Sequence, residues 1–316
     1  MPDDRLHLTG LRIPAIITAA FWALGIALSV KTHAWFFLVN FGYIGTSVGL
    51  GMGLYGVLPK RRKHWGRKLA QLLVGLYMLG LLGFLAGENM QIEGFWFYLF
   101  TGVVMGSVIH YLVAKVIGPL LFGRAWCAWA CWTAMLLDFL PFTRNDRHRV
   151  PRAGLLRYVH FALSLALVAF AVFGLGITVR RYNQMAFWWL LAGNAAYYVT
   201  AVVLAFEMHD NRAFCKYVCP IPPIQKLTSR FSLLKIAGNP TICSDCGSCS
   251  TVCPMDIRIP DYVRNGKRVL ATECILCFTC TNACASGALH TSLGLDVDFR
   301  PSLLRLRKAA ASRRTP

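Results

Sequence analysis

The sequence predicts a mainly α-helical protein: a polytopic membrane bundle of about six spans, then a small cysteine-rich domain and a basic tail. Three observations predict it. Of 316 residues, 56% are hydrophobic and only 15% charged, too apolar for an ordinary soluble domain. The apolar residues gather into runs of about 20, the length that crosses a bilayer as a helix. From Asn239 to His290 the character turns polar, and eight cysteines fall there at regular intervals.

Six runs read as spans: 11–30, 35–58, 69–87, 95–121, 154–178 and 186–206. The opening "MPDDRLHLTG" is acidic where a signal peptide is positive, so the first span is expected to be retained. Division follows at 1–235 for the membrane helices, 236–292 for the cysteine domain and 293–316 for the tail. Within the second run, Gly51, Gly53 and Gly56 form a GxGxxG pattern. It lies inside an apolar run ending at Pro59 instead of between a strand and a soluble helix, so it reads as close helix packing.

Lysine and arginine set the orientation, because positive loops resist transfer to the outside. "KRRKHWGRK" joins spans two and three, "RNDRHRVPR" lies between four and five, and a basic tail follows six. These share one side if there are six spans; Arg180 and Arg181 are the only evidence against the scheme. The expected location is a bacterial inner membrane with both termini and the cysteine domain cytoplasmic. A formal charge of +19 could suggest nucleic acid, but basic blocks beside apolar runs suit anionic headgroups, and no nucleic-acid partner is expected. Twelve cysteines in a reducing compartment point to metal ligation.

Cys243, Cys246, Cys249 and Cys253 form CxxCxxCxxxCP, and Cys274, Cys277, Cys280 and Cys284 repeat the spacing. One run could hold zinc; a duplicated run offers eight ligands for two clusters. The stretch resembles the bacterial-type two-cluster ferredoxin module, which implies a small α+β domain. The resemblance implies that Cys243, Cys246, Cys249 and Cys284 hold one 4Fe-4S cluster and that Cys274, Cys277, Cys280 and Cys253 hold the other. Ala285 departs from the family, which often has proline there.

"GRAWCAWAC" carries Cys127 and Cys131, and "CKYVCP" carries Cys215 and Cys219. On a helix, residues four apart share a face, so each pair can present two thiolates. Together they could complete a further metal or cluster site, or be small buried residues at helix ends. With these motifs the chain resembles the membrane polyferredoxins of the NapH, MauN and NosR type, and "CKYVCPIPPIQ" is also similar to the oxidase accessory protein CcoG. Trp132 stands where the first motif would have proline.

Polar residues within spans mark cavities, partners or cofactors. His110 and His160 could be satisfied structural histidines, part of a quinone pocket, or ligands of a haem b, the last being the weakest reading. Glu207, His209 and Asp210 could relay protons or form a solvated helix end. Trp96, Trp188 and Trp189 are expected at the outer headgroup belt, and Trp126, Trp129 and Trp132 at the inner one. The resemblance implies single-electron relay between a cytoplasmic donor or partner subunit and a membrane acceptor, with quinone favoured. A copper reductase or assembly factor and a redox sensor are the alternatives.

Overall fold

The computed structural model describes residues 8–142, 149–150 and 152–296; the basic tail from Arg300 to Pro316 and both extreme termini lie outside the described residues. Among the described residues, five helices are long and apolar enough to cross a membrane: α1 (Arg12–Thr32), α2 (Trp35–Val57), α3 (His64–Leu85), α6 (Ala153–Gly174) and α7 (Val179–Met208). Two shorter helices, α4 (Ile92–Thr101) and α5 (Gly106–Phe122), lie between α3 and α6. Ile13, Ile16 and Val30 of α1 and Leu163, Phe170 and Phe173 of α6 are more than half exposed. Such surface is costly in water, at roughly 25 cal/mol per Å², and free of that cost in lipid. The protein is an integral membrane protein.

Close packing explains the glycine-rich run. A Cβ on Gly66 would sit 2.4 Å from the Tyr55 backbone nitrogen, and one on Gly51 would sit 2.4 Å from Ala70 Cβ. These two glycines let α2 and α3 approach nearly backbone to backbone.

The fourth expected span, 95–121, is not one straight helix. α4 and α5 are bent by 114°, because Gly102 (φ 69°) ends α4 in the left-handed region and residues 103–105 leave the helix. Before the bend, Asn89 and Gln91 are buried, and the Gln91 amide occupies the space beside Gly193 midway along α7. α4 therefore starts inside the protein and runs along the first part of α7, where Phe97 stacks on Tyr182 at 3.8 Å and Tyr98 donates to Asn183 at 2.7 Å. Arg180 and Arg181, expected in a loop, belong to the first turn of α7.

Tryptophan placement also departs from expectation. Trp96 and Trp132 are buried, with Trp132 Nε1 donating to Asn194, and Trp126 Nε1 is enclosed. Packing rather than headgroup anchoring holds them; Trp188, 68% exposed, remains suited to the interface.

Five helix ends meet at one end of the bundle, where the cysteine domain sits. Tyr55 near the end of α2 donates to Asn282 at 2.9 Å, and Arg67 in α3 pairs with Asp138. The Leu120 carbonyl of α5 accepts from Leu233 N at 2.8 Å. Arg157 in α6 reaches Glu273 at 3.0 Å, and Arg212, just beyond the end of α7 at Met208, pairs with Asp138. The domain itself is a two-stranded antiparallel sheet, β1 (Leu234–Gly238) and β2 (Leu289–Leu293), with Ile236 opposite Thr291. Ile236, Met255, Ile259, Val263 and Ile275 form its core, and Ala128 from the membrane part belongs to the same cluster.

Candidate metal centres

All twelve cysteines are free thiols. In the small domain they separate into two groups that cross the repeat. Cys253, Cys274, Cys277 and Cys280 line one cavity with Ile236, Met255 and Ile257. Cys249 instead lies close enough to Cys243 and Cys284 to sense their charge, and Cys246, next in the run, is exposed. Thus Cys253 lies beside the cysteines of the second run, and Cys284 near those of the first.

The duplication extends to the backbone. Asp245 and Leu276, each just before the second cysteine of a run, have φ 53° and 48°. Gly247 and Phe278, just after it, have φ 73° and 59°, and Asp256 and Gly287, three after the fourth cysteine, have φ 54° and 70°. Left-handed backbone at Leu276 and Phe278 is unfavourable for bulky side chains and persists where the surroundings impose it. Such turns aim successive N–H groups inward, the arrangement that supports anionic iron-sulfur sites.

Burial pushes the Cys253 thiol up to about 11 and Cys274 up to about 12; it raises Cys280 as well, with Cys277 adding to the effect. Such thiols become thiolates together only when a cation neutralises them. By contrast the exposed Cys246 is lowered to about 7 by the Ser248 hydroxyl. Cys253 and Cys280 of one group are buried, whereas Cys246 of the other is exposed. Among the described residues, no three His, Cys, Asp or Glu side chains close on a point tightly enough for a single metal ion. A cubane, spreading its thiolates around an inorganic core, takes a wider ring than a tetrahedral ion.

The two CxxxC pairs meet at the foot of the membrane helices. Cys219 senses the charge of Cys215, Cys131 and Cys127, and burial raises Cys131, Cys215 and Cys219. Neither pair lies on a continuous helix, in contrast to the expectation. Cys127 is in a short helix, Trp126–Trp129, that ends as Ala130 takes φ −144°, and extended Cys131 begins Trp132–Leu137. Cys215 belongs to Ala213–Tyr217 and Cys219 lies beyond it. The turns bring the thiols together from four separate backbone positions.

Charge holds this cage. Gln71 Nε2 donates to the Cys127 and Cys131 carbonyls at 3.3 and 3.5 Å. Arg212 donates to the Cys127 carbonyl at 3.0 Å and approaches Cys215 Sγ at 3.9 Å. Asp138 binds both Arg67 and Arg212; burial alone would raise its carboxyl, but the two guanidiniums outweigh it and hold it low. Lys115 is buried with its ammonium 4.5 Å from the Trp126 ring. A cage of thiolates surrounded by cations suits an anionic cluster.

Glu273, immediately before Cys274, ties the small domain to this end of the bundle. Arg124 (2.6 Å), Arg157 (3.0 Å), Arg149 (3.3 Å) and Lys226 all bind its carboxylate. Burial opposes its ionisation, yet the Arg124 and Arg157 charges hold it far below the usual carboxylate range. Lys216 bridges Asp210 and Asp256, each at 2.6 Å, so Asp210 is part of a structural pair rather than a solvated end. Between the cage and the inner thiol group, Trp129 Nε1 donates to the Leu276 carbonyl at 3.0 Å. Its ring lies 6.0 Å from Phe278 and 5.7 Å from Tyr55.

His110 packs 4.9 Å from Trp126, with Nε2 enclosed and unbonded. His160 is engaged at both nitrogens, Nδ1 with the Val218 carbonyl at 2.9 Å and Nε2 with Tyr197 at 3.4 Å. As placed, it turns neither nitrogen to an axial iron. His209 ends α7 in the left-handed region with its ring 5.1 Å from Phe142. Sequence reasoning missed Gln71, Asp138 and Glu273. A lone acid beside a cysteine motif, and an acid within an apolar helix, were the available signals.

A family model described as a 4Fe-4S dicluster domain matches residues 235–285. Another, described as a 4Fe-4S binding domain, matches residues 96–147 and 196–237, each carrying one CxxxC pair. Two uncharacterized proteins of Methanocaldococcus jannaschii are 24% and 28% identical, each over 72% of this chain and over 86% and 94% of their own. The methylamine utilization ferredoxin-type protein MauN of Methylobacillus flagellatus is 26% identical over 64% of this chain and 74% of its own. No solved structure matches the chain. Helices long and apolar enough to cross a membrane, two matched 4Fe-4S models and ferredoxin-type relatives agree: the chain is a membrane protein with 4Fe-4S binding domains, similar to the ferredoxin-type proteins MauN and NapH and to NosR.

Proposed function

We propose that this protein carries single electrons between a cytoplasmic donor and an acceptor in the bilayer, with quinone as that acceptor. The observation that carries the reading is the graded burial of three thiol groups: exposed at Cys246, enclosed around Cys280, and set among the helix ends at Cys215. Cys243, Cys246, Cys249 and Cys284 would hold one 4Fe-4S cluster, Cys253, Cys274, Cys277 and Cys280 a second, and Cys127, Cys131, Cys215 and Cys219 a third. A bound cluster of this kind supplies a one-electron store whose potential depends on burial, charge and hydrogen bonds to sulfur.

The chain's own residues do the rest. Ser248 and the left-handed turns present hydrogen-bond donors to sulfur at the exposed end. Ile236, Met255 and Ile257 keep water from the middle group. Arg212 places positive charge beside the cage, and Trp129 fixes the distance between the cage segment and the Leu276 loop.

Anaerobic purification in lipid nanodiscs tests the reading. About twelve iron and twelve sulfide per chain are expected, falling to about eight when Cys215 and Cys219 are replaced by serine. The reduced protein should be reoxidised by a water-soluble quinone. Zinc in place of iron would overturn the cluster assignment, and clusters that stay reduced in excess quinone would overturn the acceptor.

A further inference from the structure

Gln225, fully buried, reaches a cage sulfur from outside both cysteine pairs. It lies in a short helix, Pro222–Ser229, that begins three residues after Cys219. Prolines start this helix, since they lack only the N–H groups that a first turn leaves unpaired. From there the Gln225 side chain crosses to the other cysteine segment, where Cys127 Sγ donates to its Oε1 at 3.2 Å. Its amide nitrogen, Nε2, is buried and makes no hydrogen bond among the described residues. A buried amide donor without a partner is costly, and native structures rarely keep one.

Side chains touch sulfur in the small domain too, but there a hydroxyl does so from two residues away: Ser248 at Cys246 (3.4 Å), Thr279 at Cys277 (3.3 Å) and Ser286 at Cys284 (3.6 Å). A hydroxyl oxygen both donates and accepts, so it serves a thiol or a thiolate without moving. An amide divides those roles between two atoms. A sulfur bound to iron carries no hydrogen and can only accept. Gln225 Oε1 then has nothing to receive, while Nε2 has hydrogens without an acceptor. The two amide atoms occupy nearly equivalent positions, so turning the amide over sets Nε2 where Oε1 lies, 3.2 Å from Cys127 Sγ. That exchange gives the orphaned donor its acceptor.

We propose that Gln225 sets the potential of the cage: with Cys127 bound in a cluster, the Gln225 amide donates to its sulfur and favours the reduced state. Reduction adds one negative charge, part of which falls on the ligand sulfurs, where an N–H donor stabilises it. The midpoint of the cage is thereby raised, which draws electrons toward the membrane side. Arg212, 3.9 Å from Cys215 Sγ, acts in the same sense on the other pair. Gln225 itself exchanges neither electron nor proton; it is a positioning residue, and it ties the segment after Cys219 to the one that carries Cys127. This inference rests on the cage formed by Cys127, Cys131, Cys215 and Cys219 holding a cluster.

Redox titration of the full-length, iron-loaded protein in nanodiscs, followed by electron paramagnetic resonance, tests it. In Gln225→Leu with its iron retained, the reduced-to-oxidised ratio of the cage at a fixed potential should fall roughly tenfold, a midpoint about 59 mV lower for a one-electron couple. The two domain midpoints should not move, and a side chain that only filled space would leave all three in place. Should the variant lose iron, the wild type carries its own readout: with isotopically labelled glutamine nitrogen, the reduced cage should show a nitrogen coupling through the N–H···S bond. An unmoved cage midpoint in iron-replete Gln225→Leu, or no such coupling in the wild type, overturns the assignment and leaves the electron-carrier reading standing. Eight irons in the wild type and no third paramagnetic signal overturn both.

Discussion

The small domain and the cage at the foot of the helices solve one problem, the burial of anionic sulfur, by different means. In the domain, the cysteines fall within two short runs, and repeated left-handed turns at Asp245, Gly247, Leu276 and Phe278 aim backbone N–H groups toward them. Its middle group is walled by apolar side chains. In the cage, thiols arrive from two distant segments, and the charged side chains of Arg67, Arg212 and Asp138, with the Gln71 amide, organise them. The difference teaches that a local motif can shape its own site with backbone, whereas a site assembled from distant segments needs fixed charges to hold them in place.

The sharpest way to break this contrast is at a ligand of the domain. Cys253→Ser removes a thiol from the middle group, which lies within the domain's core. The domain has little else to hold it, so about four irons should be lost together with protease resistance of residues 236–292. Iron content and limited proteolysis read the outcome.

Asp138→Ala tests the cage. Two buried guanidiniums would lose their shared counter-ion, which costs about 3–5 kcal/mol for a broken buried pair. Iron should fall to that of the two domain clusters while the domain stays folded. Loss of all iron would show that the two regions are not separable.

Glu273→Gln has a smaller expected effect and sharpens the coupling between them. It leaves Arg124, Arg157 and Lys226 without their common carboxylate, so proteolysis near residue 273 should rise at pH 7. In the wild type, the carboxyl is depressed in the folded state relative to an unfolded value of about 4.3. The stabilisation is therefore complete above the unfolded value and is lost only as pH falls through the lower folded one. Between about pH 5 and 8 the wild type should show no proteolytic change from this group, and the variant should be equally loosened throughout.

Much of this was legible in the residues. Apolar runs gave the spans, and the repeat of cysteine spacing gave the double thiol domain, because membrane burial and cluster ligation both impose regular intervals on the chain. The straight fourth span was not legible as a bend, since α4 and α5 are both apolar and only Gly102 marks the break. The tryptophans misled because an aromatic near a helix end serves equally as an anchor or as packing, and composition does not say which neighbour it meets.

By itself the sequence determined that the chain enters lipid, that eight cysteines form two runs of one spacing, and that two further pairs share another. Tertiary structure decided which thiols face one another, that Asp138 and Glu273 gather buried cations, and that His160 sits between Tyr197 and the Val218 carbonyl. The reason is range: hydrophobicity and ligand spacing act along the chain within a turn or a loop, while charge pairing and hydrogen-bond direction depend on residues that only folding brings within a few ångströms.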